Sequence, residues 1–210
     1  MKSGEVELTS SANKMRLKPG MKRLRDAQNI IKKLLAGDIV LVSEKGLLHS
    51  INRTLQRSKW HHVMLYIGDG RTIEVTPKKG AHICDLMYDL TEKPYMAYKI
   101  LRNRKLSKGQ RKKIIGTALK DFLGKKFSWM QYAKIVIGRT LQFKSEGNKS
   151  IVCKPGHECS TGSVACSNMV AMAYYDAGFP ISDRYMPEYV VPKDYEGSKS
   201  FSTVMKGEIE

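Results

Sequence analysis

Residues 63–67, an apolar run, and 71–76, which alternate in polarity, flank Gly68-Asp69-Gly70 in a β-hairpin pattern that limits the possible folds more than any other stretch. Residues directly opposite in an antiparallel pair share a face. A three-residue loop pairs Ile67 with Arg71, Leu65 with Ile73 and Val63 with Val75. That gathers Val63, Leu65, Ile67, Ile73 and Val75 on one face. A two-residue loop sets Leu65 against Glu74 and mixes the faces, so the three-residue loop is expected, with Gly70 in the left-handed position. The same register puts His62, Met64 and Tyr66 on the other face with Thr72, Glu74 and Thr76. His62 and Glu74 become diagonal neighbours, about 7–8 Å apart and within reach of a His–carboxylate hydrogen bond. Such a bond fixes the imidazole tautomer and favours the protonated ring. His61 points the other way. A His–Glu pair on a sheet is also a common structural device, so its chemistry depends on what else reaches it.

The remaining periodicities surround this hairpin with one α+β domain. After a polar arm over residues 1–20, apolar residues at Met21, Leu24, Ala27, Ile30, Ile31, Leu34 and Leu35 make one stripe of a helix that Gly37 terminates. Residues 39–42 read as a buried strand and residues 47–55 as a short helical stretch. Residues 95–101 form a further strand. Ser107 and Gln110 form a capping box for a helix to about residue 123, and Ser128 caps a further helix over 129–137. Residues 138–164 are a long polar, Gly-rich loop, residues 166–177 a helix, and the Pro-punctuated tail from Phe179 is irregular. The division is 1–36, a basic arm and helix, and 37–210, the main domain.

Charge narrows the function classes. The 210 residues carry 37 Lys and Arg against 20 Asp and Glu, a net of +17, all of it in two stretches between Lys14 and Lys33 and between Lys99 and Lys126. Those stretches imply an anionic neighbour, such as lipid head groups or an acidic polymer. Nucleic acid is disfavoured, because aromatics are sparse there and no nucleic-acid motif is present. The helix around Ala27 has a membrane-surface reading beside the plain one of a docked helix with a solvated basic back. Four Cys exclude a disulfide scaffold, and no apolar run is long enough to span a bilayer. Without an N-terminal apolar segment of the Sec type, the default location is cytoplasmic, with non-Sec export left open.

Cys166 begins the apolar periodicity carried on by Val170, Ala173, Tyr174 and Ala177. A thiol in a helix's first turn feels the positive end of the dipole and the unpaired backbone N–H groups there, which lower its pKa; a nearby imidazolium lowers it further. The plain alternative is a small buried residue. Cys84, after His82-Ile83, reads most simply as a core residue. Cys153, His157 and Cys159 offer three zinc ligands at unusual spacing; a thiol-bearing loop is the simpler reading, with zinc or a Cys153–Cys159 disulfide as alternatives.

Taken in order, Gly37-Asp38-Ile39-Val40, then Trp60-His61-His62-Val63, Glu74 and Cys166-Ser167-Asn168-Met169-Val170 resemble the circularly permuted, papain-like NlpC superfamily. They are most similar to its YiiX-like branch, which is related to lecithin retinol acyltransferase-like proteins. Residues 122–129 and 191–194 resemble two further segments of that pattern, and the likeness covers roughly residues 37–205. The chain departs from it at Asn168, where the family usually carries Glu or another polar residue, in its basic N-terminal helix, and in its longer 138–164 loop, which leads into Cys166 and would suit a substrate lid. The resemblance implies a permuted papain-like α+β fold with an antiparallel sheet packed by helices. It implies Cys166 as nucleophile, His62 as general base and Glu74 as orienting acid, with no cofactor and no metal assigned.

The implied activity is a cysteine peptidase or amidase that cleaves a peptide, wall-peptide or acyl-amide bond through a thioester. The alternatives are a thioester-forming acyltransferase or lipid hydrolase, and a catalytically silent basic binding module.

Overall fold

Backbone pairing organises the chain around β1 (Ile39–Glu44), β2 (His62–Gly68), β3 (Arg71–Thr76), β4 (Gly80–Asp85), β5 (Tyr95–Arg102) and, near the C-terminus, β8 (Ser202–Glu208). They form one six-stranded sheet in the order β4-β3-β2-β1-β5-β8, every neighbour antiparallel. The structure, a computed structural model, describes residues 19–44, 58–130, 132, 133, 135, 137, 163–183 and 185–209. Its helices are α1 (Pro19–Lys33), α2 (Leu86–Glu92), α3 (Lys108–Thr117), α4 (Cys166–Asp176) and α5 (Pro192–Gly197), and the short β6 (Lys126–Phe127) pairs in parallel with β7 (Ser163–Val164). The architecture is α+β.

The unbroken apolar run of β1 follows from its place in the middle of the sheet. Ile39 and Leu41 enter a core with Val63, Leu65, Ile73 and Val75 and with Met169, Val170, Ala173 and Tyr174 of α4. Val40 and Val42 enter a second core on the other face, with Met64 and Tyr66, Ala27, Ile30 and Leu34 from the α1 segment, and Leu86 and Leu90 of α2. Burying each of these larger side chains contributes about 1.5–3 kcal/mol. The sheet is therefore covered on both faces, and the two sides of the hairpin separate as expected.

The hairpin reaches that pattern by another route. Leu65 pairs with Ile73 and Tyr66 with Thr72, as expected, but Arg71 pairs with Gly68 rather than Ile67. The loop is the two-residue Asp69-Gly70, both at positive φ (51° and 71°), as a type I′ turn requires. A bulge between Tyr66 and Gly68 takes up the extra residue. The faces stay unmixed because the bulge shifts the register by one, which the two-residue loop alone would not do.

Three other expectations need correction. α1 ends at Lys33, not 36, because the carboxylate of Asp38 accepts the N–H of Leu35 at 2.8 Å and draws the chain out of the helix. Only the middle of its stripe is buried: Met21, Leu24 and Leu35 are exposed. The capping box of α3 is present, with Ser107 N–H donating to Gln110 at 2.7 Å and Gln110 N–H to Ser107 at 3.3 Å. That helix then passes into a π-helical turn over Ala118–Phe122. The tail beyond Phe179 is not irregular: it supplies α5 and the edge strand β8. Residues 129, 130, 132, 133, 135 and 137 are helical, as expected. The stretch near 47–55 and, of the expected arm over 1–20 and loop over 138–164, residues 1–18 and 138–162 with Cys153, His157 and Cys159 lie outside the described residues. Pro19 and Gly20 already belong to α1, and residues 163–164 are the strand β7 rather than loop.

Candidate functional site

His62 opens β2 at the end of the sheet that meets the first turn of α4, and Cys166 is the first residue of that helix. Local chemistry fixes the turn into α4. Ala165 is extended, and its N–H donates to Asn168 Oδ1 at 2.7 Å, so a buried side chain replaces the missing cap. The Tyr195 hydroxyl of α5 donates to the Ser167 carbonyl, anchoring the same turn from the other side. Six apolar α4 side chains in the first core, Met169 through Tyr174, hold the helix against the sheet.

The three residues expected to act together are brought together. His62 Nε2 lies 2.5 Å from Glu74 Oε2, and Glu74 is fully buried. His62 and Cys166 are close enough for each to shift the ionisation of the other. With Nε2 committed to the carboxylate, Nδ1 is the ring nitrogen left to face the sulfur. The backbone N–H groups of Val63 and Ser167 also favour the charged sulfur of Cys166.

Burial opposes the charged forms of all three groups, and their mutual attraction overcomes it. Burial alone would lower the His62 pKa, but the charges of Glu74 and Cys166 and hydrogen bonds to both raise it to about 10. Burial likewise pushes the Cys166 thiol up, but the His62 charge and hydrogen bond and the two backbone N–H groups bring it below its ordinary value. Glu74, raised by burial, is held well below the usual carboxylate range by His62, then by Lys93 and Cys84. The favoured state is a thiolate–imidazolium pair backed by a carboxylate.

The second oxygen of Glu74 carries partners not anticipated from the sequence. Cys84 Sγ donates to Oε1 at 3.1 Å, Lys93 Nζ lies 3.1 Å from it, and His82 Nε2 lies at 3.5 Å. Lys93 also bonds Asp89 at 2.7 Å. Cys84 is therefore not a plain core residue: it is half-buried, and burial together with Glu74 pushes its thiol far up, so it stays protonated. The missed signal was a second register. Thr76 pairs with Gly80 across a short turn, which places His82 opposite Glu74. Lys93 reaches the site only because α2 folds back over the sheet. His61 lies apart from this group, with Nε2 3.3 Å from Glu44.

Part of the positive charge is structural. Arg102 and Arg111 hold the buried Asp38 at 2.6 and 3.4 Å, Lys99 meets Glu196 at 2.6 Å, and Arg23 of α1 bonds the carbonyls of Leu90 and Lys93. Among the described residues no helix is long and apolar enough to cross a membrane.

No family model matches the chain, and no curated protein matches it. Among solved structures, the crystal structure of the metalloprotein YiiX from Escherichia coli O157:H7 superimposes with a TM-score of 0.56 at 16% identity, covering 83% of this chain and 98% of that one. The chain has a YiiX-like α+β fold.

Proposed function

We propose that the chain is a cysteine hydrolase cleaving an amide bond, peptide or N-acyl, through an acyl-enzyme thioester, on a permuted papain-like arrangement of residues 37–210. The observation that carries this is the single imidazole of His62, bonded to the Glu74 carboxylate and coupled in charge to the Cys166 thiol at the head of α4. In the proposed cycle Cys166 holds its thiolate against the His62 imidazolium, and the sulfur attacks the carbonyl carbon. Backbone N–H groups at the α4 terminus receive the developing oxyanion. His62 gives its proton to the leaving amine, then takes one from the water that opens the thioester. Glu74 keeps the ring oriented and charged and does not touch the substrate. The basic residues not committed to Asp38, Glu196 or the carbonyls of Leu90 and Lys93 hold the protein near an anionic surface or draw in an acidic substrate.

The test is thiol alkylation. Iodoacetamide at about pH 6, where ordinary thiols are protonated, should modify Cys166 well before the other three cysteines. Uniformly slow labelling, unchanged by His62→Ala, sinks the proposal.

A further inference from the structure

Three atoms of metal-ligand type converge on the side of Glu74 turned away from His62. Glu74 Oε1, His82 Nε2 and Cys84 Sγ all lie within 4.8 Å of one another. The sulfur is 3.1 Å and the nitrogen 3.5 Å from Oε1. Tetrahedral zinc, with bonds of about 2.0 Å to nitrogen and oxygen and about 2.3 Å to sulfur, sets its ligand atoms about 3.3–3.6 Å apart. His82 and Cys84 stand two residues apart on β4, so they share a face, and His82 pairs directly with Glu74 across the sheet. Rigid strand positions, rather than a loop, hold the group.

A separate observation concerns the ring of His82. Its Nδ1 lies 2.9 Å from the carbonyl of Gly80, which can only accept, so Nδ1 carries the proton. Nε2 is then the nitrogen turned toward the carboxylate oxygen, free to act as a ligand atom. A cation between Nε2 and Oε1 would be bound by both atoms at once. A backbone carbonyl on the far nitrogen is also how metal-bound histidines are usually held. In the structure the positive charge at Oε1 is the Lys93 ammonium. Lys93 keeps a second partner in Asp89, so it can leave Oε1 without losing its counter-ion.

We infer that Glu74, His82 and Cys84 form a binding site for a divalent cation of the zinc class. On binding, Cys84 releases its thiol proton to solvent and coordinates as thiolate, while Lys93 withdraws to Asp89 and a fourth position stays open to water. Glu74 then serves the metal through Oε1 and His62 through Oε2. The inference does not depend on the hydrolase proposal.

The test uses the full-length chain, stripped of metal with a chelator and titrated with Co²⁺, whose thiolate charge-transfer band in the near ultraviolet reports sulfur ligation. One equivalent should bind, with the band retained in Cys166→Ser and in Cys153→Ser/Cys159→Ser and lost in Cys84→Ser. His82→Gln should weaken binding by more than about 100-fold, beyond the cost of losing an outer partner. Absence of binding, or a band that persists in Cys84→Ser, overturns the site. Should Cys84→Ser fail to fold, by circular dichroism, full-strength binding in His82→Gln overturns it alone. Cys166 alkylation of the metal-free chain is a separate readout, so the two proposals fail independently.

Discussion

Lys93 Nζ sits 3.1 Å from Glu74 Oε1, on the carboxylate oxygen that His62 does not use. A buried carboxylate is thereby neutralised from two sides, by an imidazolium and an ammonium. Replacing Lys93 by Met removes one of them and leaves Asp89, itself almost fully buried, without its cation. Loss of hydrogen bonds to charged groups of this kind costs about 1.5–3 kcal/mol. The urea midpoint of Lys93→Met should fall by a matching amount at unchanged m-value; an unshifted midpoint would show that the contact contributes nothing net.

Cys166 should not titrate like an ordinary thiol. Its pKa lies below 9.0 because of His62, whose own value is raised to about 10. The iodoacetamide rate should therefore reach its plateau on the acid side of pH 9 and hold it while the imidazolium survives. In His62→Ala the rate should instead climb through the ordinary thiol range. Identical rate–pH profiles for the two proteins would refute the ion pair.

Glu74→Gln tests the carboxylate separately from the ring. Without that charge the imidazolium is less favoured and the thiolate fraction drops, so alkylation near neutral pH should slow by about 10–100-fold, one decade per pKa unit. The deficit should vanish at alkaline pH, where hydroxide makes the thiolate without help. A deficit that persists there would mean the substitution had displaced Cys166 rather than changed its ionisation.

The same shifts govern stability against pH, with opposite signs. Glu74 is depressed from an ordinary 4.5, so its contribution is present above that value and is lost as pH falls through the folded value. His62 is raised from 6.5, so its contribution is complete below 6.5 and is lost as pH rises through about 10. The pair stabilises most between about pH 4.5 and 6.5. Cys166 runs the other way: its thiol is depressed from 9.0, so the proton that His62 keeps is offset by the one Cys166 has released. Urea midpoints should decline only above about pH 9, a decline absent in His62→Ala.

How far the fold could be read from the sequence follows from the range of the forces involved. The hairpin faces were legible because alternation is local, and the His62–Glu74 contact followed from them. The capping box at Ser107 and Gln110 was legible for the same reason. The bulge between Tyr66 and Gly68 was hidden because a three-residue loop and a bulged two-residue loop give the same pairing of Leu65 with Ile73. The edge strand β8 carries little alternation, being half exposed. It fits because Gly207 has no side chain: a Cβ there would stand 2.9 Å from the Tyr98 hydroxyl. Asp38 looked like part of a motif, whereas its buried contacts with Arg102 and Arg111 link residues 64 and 73 positions apart. The partners on Glu74 Oε1 needed a second register and a helix folded across the sheet, neither of which any one segment announces.

Gly80 links the metal-type cluster to the segment that leads into Cys166, and its substitution should be costly in a specific way. It has φ +69°, and a Cβ there would lie 2.3 Å from the Lys125 carbonyl, against backbone rather than a flexible side chain. That carbonyl accepts the N–H of Ala81, and the Gly124 N–H donates to the Ala81 carbonyl, so β4 and the start of β6 are clamped together. β6 in turn pairs with β7, which ends two residues before Cys166. Gly80→Ala must either open this clamp or strain the turn, at about 1–3 kcal/mol, and a displaced β6 passes the shift to Cys166. The expected outcome is a lower urea midpoint together with slower Cys166 alkylation at about pH 6. Gly116→Ala is the control: it lies within α3 with nothing within 4 Å of the added carbon. There the methyl should stabilise by about 0.5–1 kcal/mol through helix propensity and leave alkylation unchanged. If both substitutions shift the midpoint alike and neither slows alkylation, the clamp has no bearing on the position of Cys166.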